Sequence, residues 1–197
     1  ASARGSGGGR AGERDAGMTE PQAVRAALER TIVRMHEVVD ALVMALLADG
    51  HVLLEGMPGV AKTLACRALA AAVGGDFKRI QFTPDLLPSD IVGTRIFDQR
   101  SGDFRTVRGP LFANVLLADE INRAPAKVQS ALLEGMQERR ATIGPETFDF
   151  PQPSAVLATM NPYDADGTYA LPLAQLDRFL LNVRGGYPAR EAELAIV

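Results

Sequence analysis

The sequence contains little of what cross-links, zinc sites and membrane spans require. Among its 197 residues there is one cysteine, Cys66, so no disulfide can form within the chain and a buried thiol is expected. The two histidines, His36 and His51, lack ligand-type companions, so we do not expect a zinc site. The longest uninterrupted apolar run, Ala41 to Ala48, is far shorter than a membrane-spanning helix.

Charge and N-terminal composition set further limits. The formal net charge of −3 disfavours a nucleic-acid clamp driven by bulk electrostatics. The N-terminus lacks the apolar segment of a secretory signal, and residues 1–17, rich in Gly, Ser, Ala and Arg, are predicted to be a disordered extension. We therefore expect a cytoplasmic protein with one ordered domain over residues 18–197.

Apolar periodicity predicts strands that alternate with helices. Residues 21–48 read as one helical stretch with a single apolar face. Alternating strands and helices imply an α/β fold, a parallel sheet with helices on both faces. Turn signals at Ser101-Gly102-Asp103 and Gly144-Pro145-Glu146 predict two β-hairpins inserted in this fold. The strands of the sheet are predicted at 51–55, 77–82, from 114 to about 119, at 155–159 and at 180–183.

The most informative segment is a glycine-bearing loop between a strand and a helix. In such a loop backbone N–H groups point at phosphates, Lys62 supplies positive charge to the β- and γ-phosphates, and Thr63 offers a hydroxyl to Mg²⁺. Ala61 replaces the usual glycine, which a first helical turn tolerates; the alternative is a turn without a ligand. The candidate ATP-binding residues are Gly56, Met57, Pro58, Gly59, Val60, Ala61, Lys62, Thr63 and Leu64.

Asp119 and Glu120 form an acidic pair at the end of an apolar strand. Open α/β sheets bind ligands at the carboxyl ends of their strands, so the pair is expected beside the phosphate loop. Asp119 can then hold Mg²⁺ and Glu120 can take a proton from the attacking water. The alternative is an acidic pair that caps the next helix.

Two later residues complete a candidate site. Asn161 leaves an apolar strand and could reach the γ-phosphate or orient water, although Asn-Pro is also a plain turn signal. Arg178, in Leu176-Asp177-Arg178-Phe179, read alone suggests a surface ion pair with Asp177. Arg178 becomes a candidate site residue only because the other motifs occur in the same sequence.

In this order the motifs resemble those of AAA+ ATPases, and the sequences of the individual segments are most similar to those of the MoxR-like branch. The similarity is carried by Lys62-Thr63, Asp119-Glu120, Asn161-Pro162, the segments 81–90, 117–125 and 129–139, and Leu176 to Phe179. It extends over roughly residues 30 to 195. The branch's C-terminal helical lid, with its sensor-2 arginine, has no counterpart in the sequence.

The resemblance implies a three-layer P-loop fold, ATP and Mg²⁺ as cofactors, and ATP hydrolysis. By the same resemblance Lys62, Glu120, Asn161 and Arg178 are catalytic, Thr63 and Asp119 bind the metal, and Arg178 is an arginine finger that reaches a neighbour's ATP. A ring is then expected, of six subunits. The implied partner is a protein client, remodelled in the manner of a chaperone and often together with a von Willebrand factor A-domain protein.

Other functions remain open at this point. The chain could bind nucleotide without turnover. It could be a nucleic-acid motor, since Arg95, Arg100, Arg105 and Arg108 lie in or beside the first hairpin, but Asp98 and Asp103 dilute this charge and disfavour that reading. A kinase would need an acceptor pocket that the sequence does not indicate.

Overall fold

Five parallel strands form the central sheet of the computed structural model, which describes residues 21–31, 36–56, 62–161 and 168–185. Their order is β2-β5-β8-β1-β9, so the strand that ends in the acidic pair, β5, lies between β2 and β8. The α/β prediction is confirmed, and the strand bounds differ from the predicted ones by one or two residues. The strands are β1 (Val52–Gly56), β2 (Phe77–Gln81), β5 (Val115–Asp119), β8 (Ala155–Met160) and β9 (Leu181–Gly185).

Helices cover both faces of the sheet because its central strands are apolar on both sides. Alternate residues of β5 show this: Val115 and Leu117 pack in the core under α1 to α3, while Leu116 and Ala118 pack under α5. None of the described helices is long and apolar enough to cross a bilayer. The helices are α1 (Pro21–Thr31), α2 (His36–Leu47), α3 (Lys62–Ala72), α4 (Pro88–Val92), α5 (Ala126–Glu138) and α6 (Leu173–Leu176).

The prediction of one continuous helical stretch over residues 21–48 is wrong. The described residues form two helices that pack against each other, and Arg25 of α1 pairs with Asp40 of α2 at 3.0 Å. In a straight helix these residues, 15 positions apart, would be separated by about 22 Å. The apolar face was predicted correctly in part, because Val38, Val39 and Leu42 are buried.

Both predicted β-hairpins are present and they contact each other. Thr106 donates its hydroxyl proton to Glu146 at 3.1 Å, and the Arg108 guanidinium lies 4.5 Å from the centre of the Phe148 ring. We call this joined pair the hairpin platform. Its strands are β3 (Gly93–Asp98), β4 (Asp103–Arg108), β6 (Arg140–Ile143) and β7 (Glu146–Asp149).

Candidate functional site

Asp119 ends strand β5 at the carboxyl edge of the sheet, and both of its carboxylate oxygens are engaged. The Thr159 hydroxyl donates to Oδ1 at 2.6 Å, and Arg79 donates to Oδ2 at 2.7 Å. Thr159 comes from the adjacent strand β8 on one side and Arg79 from β2 on the other. The carboxylate is therefore fixed from both flanks by residues that the parallel pairing brings together.

Glu120 follows in a left-handed backbone conformation, with φ 57° and ψ 51°. For a residue with a side chain this conformation costs about 1 kcal/mol, and such strain is concentrated at functional sites. The Thr159 hydroxyl accepts the Glu120 amide proton at 2.9 Å, while the carboxylate accepts from Gln81 at 2.8 Å and pairs with Arg123 at 3.0 Å. The strained turn thus aims the carboxylate of Glu120 toward the end of β2.

Helix α3 begins at Lys62, so Lys62 and Thr63 lie in its first turn. Partial burial lowers the pKa of Lys62, and the negative charges of Asp119 and Glu120 oppose that shift. The Lys62 ammonium therefore interacts electrostatically with both carboxylates. Gly56, at the end of β1, has φ 147°, which only glycine adopts readily.

The predicted loop residues Met57, Pro58, Gly59, Val60 and Ala61 lie outside the described residues. Leu64 is 45% exposed at the start of α3. Two residues further on, Cys66 is fully buried, as predicted; burial, and to a smaller extent the charge of Asp119, raises the pKa of its thiol to about 12.

Asn161 and Arg178 occupy different surroundings. Asn161 follows β8 directly, and its carbonyl accepts a proton from the Asn122 side chain at 3.1 Å. Arg178 lies beyond α6 and lines a cavity of about 250 Å³ beside α5, together with Glu134 and Glu138. The lining of that cavity includes neither member of the acidic pair, so the structure brings Asn161, but not Arg178, near the turn that carries Glu120.

The residues present have the donor chemistry that Mg²⁺ prefers. Mg²⁺ binds one or two carboxylates or hydroxyls of a protein and completes its shell with water and phosphate oxygens. Asp119 and the Thr63 hydroxyl supply such oxygens. No group of three His, Cys, Asp or Glu side chains suited to a metal occurs in the part of the chain that the structure describes.

Sequence reasoning missed three residues of this site, Arg79, Gln81 and Thr159. Each contacts the acidic pair across a gap of about 40 positions. The signal available was the polar pattern of β2, where Arg79 and Gln81 alternate with buried Ile80 and so share one face. The polar pattern of β2 does not predict that this strand pairs with β5.

Comparison with known proteins gives the family. Residues 51–181 match the profile of the ATPase family associated with various cellular activities (AAA). The chain is 58% identical over 170 residues to chaperone MoxR1 of Mycobacterium tuberculosis, across 86% of this chain and 45% of that protein. It is 50% identical over 170 residues to the uncharacterized protein YeaC of Bacillus subtilis, across 86% of this chain and 53% of that protein.

A solved structure agrees with these relatives. The crystal structure of a proposed ATPase from Cytophaga hutchinsonii matches with a TM-score of 0.80 and 48% identity, over 89% of this chain and 53% of that one. The chain thus spans about half the length of the relatives it matches. With the parallel sheet, the acidic pair at its edge and the match over residues 51–181, the chain belongs to the AAA ATPase family, in its MoxR-like branch.

Proposed function

We propose that this chain binds ATP with Mg²⁺ and hydrolyses it, and that hydrolysis drives the remodelling of a protein client. One observation supports this most strongly: the buried Thr159 hydroxyl joins the Asp119 carboxylate to the Glu120 amide, and the charges of both carboxylates act on Lys62. That arrangement separates a metal-holding carboxylate from a proton-accepting one. An acidic pair that only capped a helix would need neither the bridge nor the lysine.

In the proposed site Lys62 neutralises charge on the β- and γ-phosphates, and its partial desolvation strengthens that interaction. Thr63 and Asp119 hold Mg²⁺. When bound, Mg²⁺ supplies charge neutralisation on the phosphate oxygens during transfer. Arg79 donates to Oδ2 of Asp119 and balances the charge of that carboxylate before the metal binds.

Glu120 serves as the general base. Water attacks the γ-phosphorus, the proton of that water passes to the Glu120 carboxylate, and the bond to the bridging oxygen of ADP breaks. Asn161 orients the water or the γ-phosphate. Gln81 and Arg123, which contact the Glu120 carboxylate, hold it in place between turnovers.

Arg178 is proposed to act in a neighbouring subunit of a ring, of six subunits by resemblance. It is exposed and lines a cavity apart from the acidic pair of its own chain, which favours action on another subunit's ATP. A guanidinium supplied in this way stabilises transition-state charge. Association of such rings with a von Willebrand factor A-domain protein belongs to the same proposal.

The hairpin platform is proposed to contact the protein client. Phe97 and Phe104 are 51% and 58% exposed, form an edge-to-face pair, and lie at the free end of the first hairpin. Arg95 and Arg108 already stack on aromatic rings of the platform, which leaves fewer free cations for nucleic acid. The printed name of the relative MoxR1 is that of a chaperone, in keeping with a protein client.

Phosphate release by the full-length protein, with ATP and Mg²⁺, tests the proposal. Glu120→Gln should bind a fluorescent ATP analogue as the parent does and lose at least about a hundredfold in turnover, because only the proton acceptor is removed. Lys62→Ala should lose nucleotide binding. Glu37→Gln, the same chemical change on the exposed side of α2, is the matched control.

Two outcomes would contradict the proposal. Equal phosphate release by the parent and by Glu120→Gln would exclude Glu120 as the base. Nucleotide binding without release in every variant, the parent included, would leave a binding module in place of an enzyme.

A further inference from the structure

Asn122 is a buried residue that contacts two separate segments. It lies two residues after Glu120, in the 3₁₀ turn 121–123, and is 5% exposed. Its side-chain amide donates to the carbonyl of Asn161 at 3.1 Å, and its main-chain carbonyl accepts the amide proton of Tyr169 at 2.6 Å. The turn with the acidic pair is therefore tied both to the end of β8 and to the segment that leads to α6.

Gln129 makes a second set of ties to the same place. It lies in the first turns of α5, is 2% exposed, and directs its side-chain amide at three carbonyls. These are the carbonyls of Ile121 at 3.2 Å, Ala124 at 3.0 Å and Tyr169 at 3.2 Å. Two belong to the turn that follows Glu120 and the third to the segment before α6, so one side chain joins the two.

Tyr169 is consequently held at both of its main-chain groups. Its N–H bonds to Asn122 and its carbonyl to Gln129, although its side chain is 46% exposed. Beyond it, Leu171 and Phe179 are buried in the core under α5, on either side of α6. The segment that carries Arg178 therefore has a fixed start at the acidic turn and a fixed end in the core.

The side chain of Asn122 carries a cost in folding stability, which suggests a role for this residue beyond stability. The Asn122 side-chain oxygen is buried and has no hydrogen-bond partner among the residues that the structure describes. An unpaired buried polar atom destabilises a fold, and an apolar residue of similar shape avoids that cost. A residue chosen for stability alone would therefore be apolar here, whereas Asn122 keeps the bond to Asn161.

We infer that Asn122 and Gln129 are positioning residues for the ATPase reaction, an inference that rests on the proposed function. Together they form a clamp that fixes Glu120, the Asn161 backbone and the segment leading to Arg178 relative to one another. Both side chains are buried, so neither is exposed to a bound nucleotide. A displacement of about 1 Å in such a set can cost on the order of a hundredfold in rate, so loss of the clamp should lower turnover and spare nucleotide affinity.

Hydrogen exchange of the full-length parent protein, read by mass spectrometry or by NMR, tests the clamp directly. The Tyr169 amide should exchange as slowly as amides of β5 and β8, although its side chain is exposed. Exchange at the rate of an open loop would overturn the inference. This readout needs neither a variant nor activity, so it stands even if phosphate release fails and the proposed function falls.

Two variants test the consequence for turnover. Gln129→Met keeps size and removes the donors, so exchange of residues 168–180 should speed up and kcat should fall about tenfold or more, with KM for ATP within about twofold. Asn122→Leu should lower kcat with little change in the thermal unfolding midpoint, because loss of the bond to the Asn161 carbonyl is offset by removal of the unpaired oxygen. Gln22→Met, exposed on α1, is the matched control.

An unchanged kcat in both variants would overturn the inference. So would a fall in kcat that only parallels a loss of folded protein. If Gln129→Met fails to fold, Asn122→Leu and the exchange rate of the parent's Tyr169 amide still decide the question.

Discussion

Thr159 donates its hydroxyl proton to Oδ1 of Asp119 at 2.6 Å, from a side chain that is 1% exposed. The hydroxyl oxygen of Thr159 also accepts the amide proton of Glu120 at 2.9 Å. Thr159→Val keeps the shape and removes both bonds, so the free energy of unfolding should fall by about 1–3 kcal/mol and phosphate release should fall with it. Urea denaturation measures the first effect.

Thr159→Ser is the matched control, since it keeps the hydroxyl and loses one methyl group at a cost of about 1 kcal/mol. It should retain phosphate release. Equal losses of activity in the valine and serine variants would mean that the hydroxyl has no role at the acidic pair.

Arg79 occupies one oxygen of the carboxylate that we assign to Mg²⁺, at 2.7 Å. A bound cation and the guanidinium repel each other across that carboxylate. Arg79→Gln should therefore lower the half-saturating Mg²⁺ concentration severalfold, measured by the binding of a fluorescent ATP analogue during a Mg²⁺ titration. Arg140→Gln, which removes an exposed guanidinium paired with Glu138, is the control and should change nothing. A higher Mg²⁺ requirement in Arg79→Gln would instead make Arg79 a support for metal binding.

His51 precedes β1 and is buried between β8 and α5. The Val156 amide donates to its Nδ1 at 3.2 Å, so the proton lies on Nε2 and is donated to the Met136 carbonyl at 3.2 Å. Burial lowers the pKa of His51 from 6.5 to about 4, with smaller opposing and reinforcing contributions from nearby groups. The neutral ring is therefore the form that the fold requires.

This shift predicts a pH dependence with a definite sign. Between pH 6.5 and about pH 4 the unfolded chain takes up a proton on His51 that the folded chain does not. The contribution of His51 to stability is full above pH 6.5 and falls as the pH falls through that window, by roughly 3 kcal/mol. Urea denaturation at a series of pH values gives the free energy of unfolding as a function of pH. Between pH 6.5 and about pH 4 this free energy should fall less steeply for His51→Gln than for the parent protein. Identical slopes would contradict the assignment of this pH dependence to His51.

The reactivity of the Cys66 thiol reports how readily the core around helix α3 opens to solvent. Because burial raises the pKa of its thiol to about 12, the reactive thiolate is scarce at neutral pH. A thiol reagent at pH 8 should label the folded protein slowly and the urea-unfolded protein with one equivalent. Fast labelling of the folded protein would mean that α3 opens readily at its first turns.

The sequence predicted the sheet well because its signals are local. Val115 to Ala118 is a continuous apolar run, and such a run between turn signals fits a buried parallel strand whatever its neighbours are. The same local reasoning erred over residues 21–48. Periodicity there continues across two helices, and their packing against each other, with the ion pair between Arg25 and Asp40, is visible only in the folded structure.

The acidic pair could be predicted, but its surroundings could not. Asp119 and Glu120 end an apolar strand, which is visible in the sequence, whereas Arg79, Gln81 and Thr159 reach them through strand neighbours. Strand order depends on how helices cross over the sheet, and single residues do not encode it. The left-handed backbone at Glu120 was equally hidden, since glutamate carries no preference for it.

Gly144 lies in the turn of the second hairpin with φ 63°, and an added Cβ would come within 2.6 Å of the Arg95 side chain of the first. The tip of the second hairpin therefore fits against strand β3 of the first, although 49 positions separate Gly144 from Arg95 in the chain. An engineer who exchanges one of these hairpins for that of a relative would need to transplant the other as well, because either one alone would lose the close contacts between Gly144 and Arg95 and between Thr106 and Glu146.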